Sequence, residues 1–271
     1  MIYSYGISMR GARHIKNGTV CQDAHRIIKV SGNTAVAAAA DGLGSQKYSD
    51  TASKLAVNTA AEYCAQRLWD VDADGDNDAE ILQCIKESFA AAQDAIEAAA
   101  EASGGSPDEY DTTLSLAVLT GGGLYYGHSG DSGIIAHTES GEFIAVTEQQ
   151  RDADGNVFPM FFRDKWAFGR FGQRVGAVLL ATDGVFEAVC RDTDMAKFFA
   201  DNRSLKIDII GEDAARARAE EYLAAIPEES INDDKTVAVL IDTGIVAAAA
   251  PQGYYGRKRL FMRLFGRGSN N

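Results

Sequence analysis

The sequence predicts an α+β fold, on three observations. Short apolar runs come in closely spaced groups, two long amphipathic stretches follow one another directly, and regular strand–helix alternation is lacking. With 271 residues, 46% of them hydrophobic, the chain can bury a sizeable core as one large domain or two small ones.

Residues 2–9 alternate weakly and read as an edge strand. Residues 24–30 and 34–40 read as a strand pair turning at Ser31-Gly32-Asn33. Residues 50–69 carry Leu55, Ala56, Thr59 and Tyr63 at helical spacing. Residues 79–102 repeat the pattern with Ile81, Ile85, Phe89, Ala92 and Ile96, so two long antiparallel helices are expected. The acidic connection between them mimics the first half of a calcium loop, but Ile81 stands where a bidentate glutamate would close it. It reads instead as a linker whose Asp78 caps the second helix.

Residues 112–120, 124–128 and 133–138 follow as three strands whose close spacing implies antiparallel pairing, with Gly121-Gly122-Gly123 as a hairpin turn. Residues 148–174 are irregular and rich in charge and aromatics, and read as a surface flap. A strand at 177–182, helical stretches around 194–201 and 211–225, and a strand at 236–241 complete the expected core.

The net charge of −13 argues against nucleic-acid binding, because little in the body of the chain would neutralise a phosphate backbone. From Thr243 onward there is no acidic residue, while Arg257, Lys258, Arg259, Arg263 and Arg267 cluster there. Residues 1–243 therefore read as the folded domain and 244–271 as a basic tail, suited to an acidic partner more than to a membrane surface. Cys21, Cys64, Cys84 and Cys190 form no Cys-x-x-Cys pair, and the first residues show no basic segment followed by an apolar one. A cytoplasmic protein with reduced thiols is the expectation.

Four acidic spots stand at strand ends or sharp turns: Asp41-Gly42, Gly130-Asp131-Ser132, Asp183-Gly184 and Asp233-Asp234. A lone Asp-Gly is a turn signal, but several that terminate core strands, with few competing histidines or cysteines, suit a hard divalent cation. In order along the chain, Gln22-Asp23-Ala24, Ala40-Asp41-Gly42-Leu43-Gly44, Asp111-Thr112-Thr113-Leu114, Gly130-Asp131-Ser132, Ala181-Thr182-Asp183-Gly184-Val185 and Asp233-Asp234-Lys235-Thr236 resemble the motifs of the metal-dependent protein phosphatases of type 2C, in a divergent bacterial branch.

That resemblance implies two antiparallel sheets sandwiched between pairs of antiparallel helices. It also implies hydrolysis of phosphoserine and phosphothreonine on proteins by a water activated between two Mn²⁺ or Mg²⁺ ions. Asp41 would bridge both ions, the Gly42 carbonyl would bind one, and Asp183 and Asp233 would complete the other. Asp23 would hold their water ligands, and Asp131 would contribute to a third, weaker ion. The Asp-x-x-Thr spacing back from Thr236 selects Asp233 over Asp234. The chemistry suits the residue types, since phosphoryl transfer is mainly positioning and charge neutralisation, and two ions about 4 Å apart can clamp the attacking and leaving oxygens. The partners implied are a phosphorylated protein and the kinase that opposes the enzyme.

Three positions depart from the pattern. Gly133 replaces the usual arginine after Gly-Asp-Ser, and Ser45 replaces the second glycine of the Asp-Gly loop. Gly18 stands where an arginine normally grips the substrate phosphate, leaving His14, Arg13 or Lys16 as replacements, with His14 the catalytic candidate. The missing arginine and Ser45 keep a rival open, a catalytically weak phosphatase-like protein that binds a phosphoprotein partner; the intact Asp41, Asp183 and Asp233 set opposes it.

Overall fold

Thr34–Ala40 is buried at all seven positions, and its two faces meet different layers. Ala35, Ala37 and Ala39 face a second sheet, while Val36, Ala38 and Ala40 face helices, as the two-residue period of a strand requires. Alanines on the inter-sheet face let the sheets approach closely, and the helix side is nearly as small, with Val36 its one larger group. This strand sets the layering of the whole molecule.

The computed structural model describes residues 1–71, 77–121, 123–191, 198–200 and 203–248. One five-stranded sheet has the order β2(Ala24–Lys29), β3(Thr34–Ala40), β4(Leu114–Thr120), β5(Gly123–Ser129), β8(Ala167–Phe171). The other runs β1(Ile2–Met9), β10(Lys235–Asp242), β9(Val175–Ala181), β6(Gly133–Thr138), β7(Phe143–Ala145), and every pairing is antiparallel. Helices α2(Ser49–Arg67) and α3(Asp78–Ser103) cover the first sheet through Ala56, Ala60, Ile85 and Phe89. The second sheet is covered by α4(Asp183–Arg191), α5(Ile207–Ile210) and α6(Glu212–Ala224), with Phe186, Phe198, Ile207, Ala219 and Leu223 buried against Val237, Val239 and Ile241. The result is the helix–sheet–sheet–helix sandwich expected from the sequence.

Four local readings are corrected. β5 and β6, though separated by three residues, do not pair: the chain crosses between sheets there, because Gly130 takes φ +104°. The crossover brings Asp131 to the end of both sheets. The flap contains β8, a five-residue edge strand too short to stand out from its surroundings. A short helix, α1(Ala12–Asn17), was not expected at all; Gly18 ends it in the left-handed conformation. Asp78 lies inside α3 and does not cap it; its carboxylate accepts from the Tyr125 hydroxyl and pairs with Arg170.

Thr243–Ala248 form a last short helix, α7, with Ile245 buried and Val246 packed on the second sheet. The remainder of the basic tail, and the acidic connection at 72–76, lie outside the described residues. Among the described residues, no helix is long and apolar enough to cross a membrane.

Candidate metal centre

The two sheets end together at one pocket, lined by Arg13, Gln22, Asp41, Gly42, Leu43, Gly44, Thr113, Asp131, Arg151, Val157, Asp183 and Asp233. Each carboxylate arrives at the end of a buried element: Asp41 after β3, Asp131 in the crossover from β5 to β6, Asp183 at the start of α4 after β9, and Asp233 just before β10. A strand cannot carry a charge in its buried middle, but its end can present one, and four ends converge here.

The backbone around Asp41 is fixed by the Asp111-Thr112-Thr113 segment. Asp41 N–H donates to Thr113 Oγ1 at 2.9 Å, while Thr112 Oγ1 and Thr113 N–H donate to the Asp41 carbonyl at 2.7 and 2.8 Å. That motif is therefore a brace, not a ligand set. Gly42 has no room for a side chain, since a Cβ would lie 2.6 Å from the Ser49 carbonyl oxygen and 2.8 Å from that of Gln22. Asp23 is 4% exposed and accepts from Thr182 Oγ1 at 2.7 Å, which ties β2 to the β9–β10 edge.

Asp41, Asp131 and Asp183 place one carboxylate oxygen each within 4.8 Å of one another. Burial, and then the charges of Asp23 and Asp183, hold the Asp41 carboxyl well above the usual range. Asp183 is raised by burial and by Asp233. Burial also pushes Asp23 to about 7, with the Asp234 and Asp183 charges adding to the shift against hydrogen bonds from Thr182 and Asp41. Asp131 is pushed to about 7 by burial and Asp183, against the opposing Arg151 guanidinium. Its Oδ1 is buried without a hydrogen-bond partner. Mutually repelling carboxylates, Asp131 buried with an unsatisfied oxygen and Asp41 and Asp183 half-buried, form a site that a cation would neutralise. The donors are all oxygen, which fits Mn²⁺ or Mg²⁺ rather than a soft metal.

Asp233 lines the same pocket and already meets a cation there, its Oδ2 accepting from Arg13 Nη2 at 2.6 Å. Its neighbour Asp234 is 3% exposed and accepts from the Gly11 and Gln22 N–H groups, both at 2.6 Å. Asp234 is thus a clasp between α1 and the β10 entry. Gly11 permits the contact, since a Cβ there would fall 2.2 Å from the Asp233 backbone.

His14 is not where a phosphate contact would need it. The ring is 6% exposed, with Nδ1 2.9 Å from Asp234 Oδ2 but out of hydrogen-bond alignment, and it lies outside the pocket lining. On a helix the neighbouring position points elsewhere, and Arg13, half-exposed, is the α1 residue that lines the pocket. Lys16 is exposed and outside the lining. Gly18 is the exposed C-cap of the helix. Gly133 is glycine because Phe186 packs against it: a Cβ would lie 1.9 Å from that ring. Ser45 is exposed on the loop after Gly42.

Sequence reasoning missed Arg151. It reaches in from the flap, with Nη2 2.5 Å from Asp131 Oδ2, 3.1 Å from Glu187 Oε1 and 3.8 Å from Asp183 Oδ2. The available signal was weak, one cation among several in an irregular segment.

A sequence profile of the protein phosphatase 2C family matches residues 10–223. No curated protein matches the chain. Among solved structures, a serine/threonine phosphatase of S. agalactiae aligns with TM-score 0.64 at 16% identity, covering 89% of this chain and 99% of that one. The catalytic domain of the serine threonine protein phosphatase PstP, in complex with two manganese ions, aligns with TM-score 0.56 at 18% identity over 89% and 97%. The serine/threonine phosphatase Stp1 of Staphylococcus aureus aligns with TM-score 0.58 at 16% identity over 89% and 95%.

Proposed function

We propose that this chain, which belongs to the protein phosphatase 2C family, hydrolyses phosphoserine and phosphothreonine on proteins at the carboxylate pocket. The observation that carries this reading is the convergence of Asp41, Asp131 and Asp183 on one point, with Asp233 across the same pocket. When bound, a pair of Mn²⁺ or Mg²⁺ ions would supply an acidified water and positive charge over the phosphoryl oxygens.

The chain's own groups divide the remaining work. Asp41, the Gly42 carbonyl, Asp183 and Asp233 would hold the ions, and Asp131 would serve a third, weaker one. Asp23, braced by Thr182, would accept hydrogen bonds from waters on the Asp41 side. The Thr112 and Thr113 brace keeps Asp41 from relaxing away from its repelling neighbours. Arg13 would grip the substrate phosphate, replacing the arginine absent at position 18. Its 2.6 Å bond to Asp233 holds the guanidinium at the pocket edge, and half its side chain stays open to an incoming anion. A planar fork of donors suits a phosphate dianion.

The direct test is phosphate release by the full chain from phosphothreonine and phosphoserine peptides with Mn²⁺, compared with the same assay in chelator. Metal-dependent turnover of both is expected. Binding of the peptides without turnover at any Mn²⁺ concentration would favour the non-catalytic rival instead.

Arg13→Ala should raise KM for a small phosphate monoester by about tenfold or more while lowering kcat less, because a cation that grips ground and transition state alike contributes mainly to binding. His14→Ala should shift thermal stability instead, since its ring packs on the Asp234 clasp. A KM effect at His14 with none at Arg13 would reverse the assignment.

A further inference from the structure

We propose that Arg151 is a tethered cation occupying the Asp131 limb of the pocket, so that a divalent ion binds there only by displacing this guanidinium and releasing the flap that carries it. The proposal rests on the metal reading of the pocket and adds to it an internal competitor for the weakest ion.

Arg151 is aimed by its surroundings. The flap base is pinned to the β5–β6 crossover: Gln149 Nε2 donates to the Asp131 carbonyl at 2.7 Å, and Gln150 N–H donates to the Gly130 carbonyl at 2.8 Å. Gly130 N–H returns a bond to Gln150 Oε1 at 3.1 Å. The next residue is therefore delivered against Asp131, and the Arg151–Val157 bridge closes the turn behind it. Its guanidinium meets three carboxylates at once, those of Asp131, Glu187 and Asp183.

The satisfaction is incomplete. Asp131 is 1% exposed, Arg151 takes only its Oδ2, and Oδ1 is buried with no partner. A guanidinium spread over three carboxylates neutralises one charge. A divalent ion in the same place would bring two charges and could engage both Asp131 oxygens. The two occupants cannot share Asp131 Oδ2. Each therefore weakens the other by the same factor, so flap position and occupancy of the weak site are linked.

The test is a calorimetric Mn²⁺ titration of the full chain as wild type, Arg151→Ala and Arg151→Lys, with hydrogen exchange of residues 149–158 as a second reading. In Arg151→Ala the weakest site should tighten by about tenfold or more, the scale of one charge-assisted hydrogen bond to a buried carboxylate. Arg151→Lys, which keeps the charge without the fork, should tighten it less. Exchange across 149–158 should rise in the wild type when Mn²⁺ fills the weak site, and be high in Arg151→Ala before any Mn²⁺ is added. A weak site that is unchanged, weakened or absent in a folded Arg151→Ala protein overturns the proposal. Failure of the two tighter ions to bind in all three proteins would overturn the metal reading itself.

Discussion

Asp183→Asn should reduce turnover of a small aryl phosphate by more than about a hundredfold at saturating Mn²⁺, because groups that merely support a metal ligand already contribute 10- to 100-fold in affinity or activity. The amide keeps the shape of the side chain and removes its charge, so the fold should survive and the loss should appear in metal binding. Asp41→Asn should behave alike, since the Thr112 and Thr113 brace holds its backbone whatever the side chain carries. Asp111→Asn should cost far less. Asp111 is raised to about 6 by burial, but its Oδ1 accepts the Thr112 N–H and its carbonyl accepts from Leu43, which makes it part of the brace. Kinetics of the three variants at matched Mn²⁺ separate ligand from scaffold; near-native turnover of Asp183→Asn or Asp41→Asn would remove them from the ligand set.

The second large effect is on stability. In chelator, folding keeps protons on Asp23 and Asp131, both raised to about 7 from the ordinary 3.8. The folded state then binds more protons than the unfolded one across that interval, so this contribution is full below the unfolded value and is lost as pH rises through the folded one. Mn²⁺ requires the carboxylates ionised, so its stabilising effect should grow over the same interval. His128 works in the opposite sense: burial depresses it to about 4, and its contribution is lost as pH falls. That trend is common to both conditions and cancels in the difference between them. The Tm with Mn²⁺ minus the Tm in chelator should therefore increase steadily from about pH 5 to about pH 8. At free ion about a hundred times Kd, one site adds about 2.7 kcal/mol, or about 5–10 °C. A difference that is flat or shrinks with pH would show that these carboxylates do not meet the ion.

The layered fold was legible because its strands are buried on both faces. Thr34–Ala40 and Val175–Ala181 are continuous apolar runs, and such runs have few other places to go. The long helices announced themselves by Ile81, Ile85, Phe89 and Ile96. What stayed hidden was set by tertiary contacts. β7 and β8 are three- and five-residue strands at sheet edges, stabilised by the partner strand more than by their own pattern. The β5–β6 step looked like a hairpin because its length is that of a hairpin, and one positive φ at Gly130 sends the chain to the other sheet.

The site divides along the same line. Asp41, Asp131, Asp183 and Asp233 could be singled out because each stands at a strand end, where sequence position and spatial position coincide. Which of Arg13 and His14 faces the pocket depended on α1, a six-residue helix held by Asp234 from the far end of the chain. Arg151 depended on how the flap base is pinned to Gly130 and Asp131. Neither is a local property of the sequence.

The most direct measurement is an anomalous-scattering map of crystals of the full chain grown with Mn²⁺. The account predicts two strong peaks in the pocket, between Asp41 and Asp183 with Asp233 adjoining, and a weaker one beside Asp131 that strengthens as Mn²⁺ is raised and Arg151 withdraws. A pocket without peaks, or a peak held instead between His14 and Asp234 on the far side of Asp233, would contradict it.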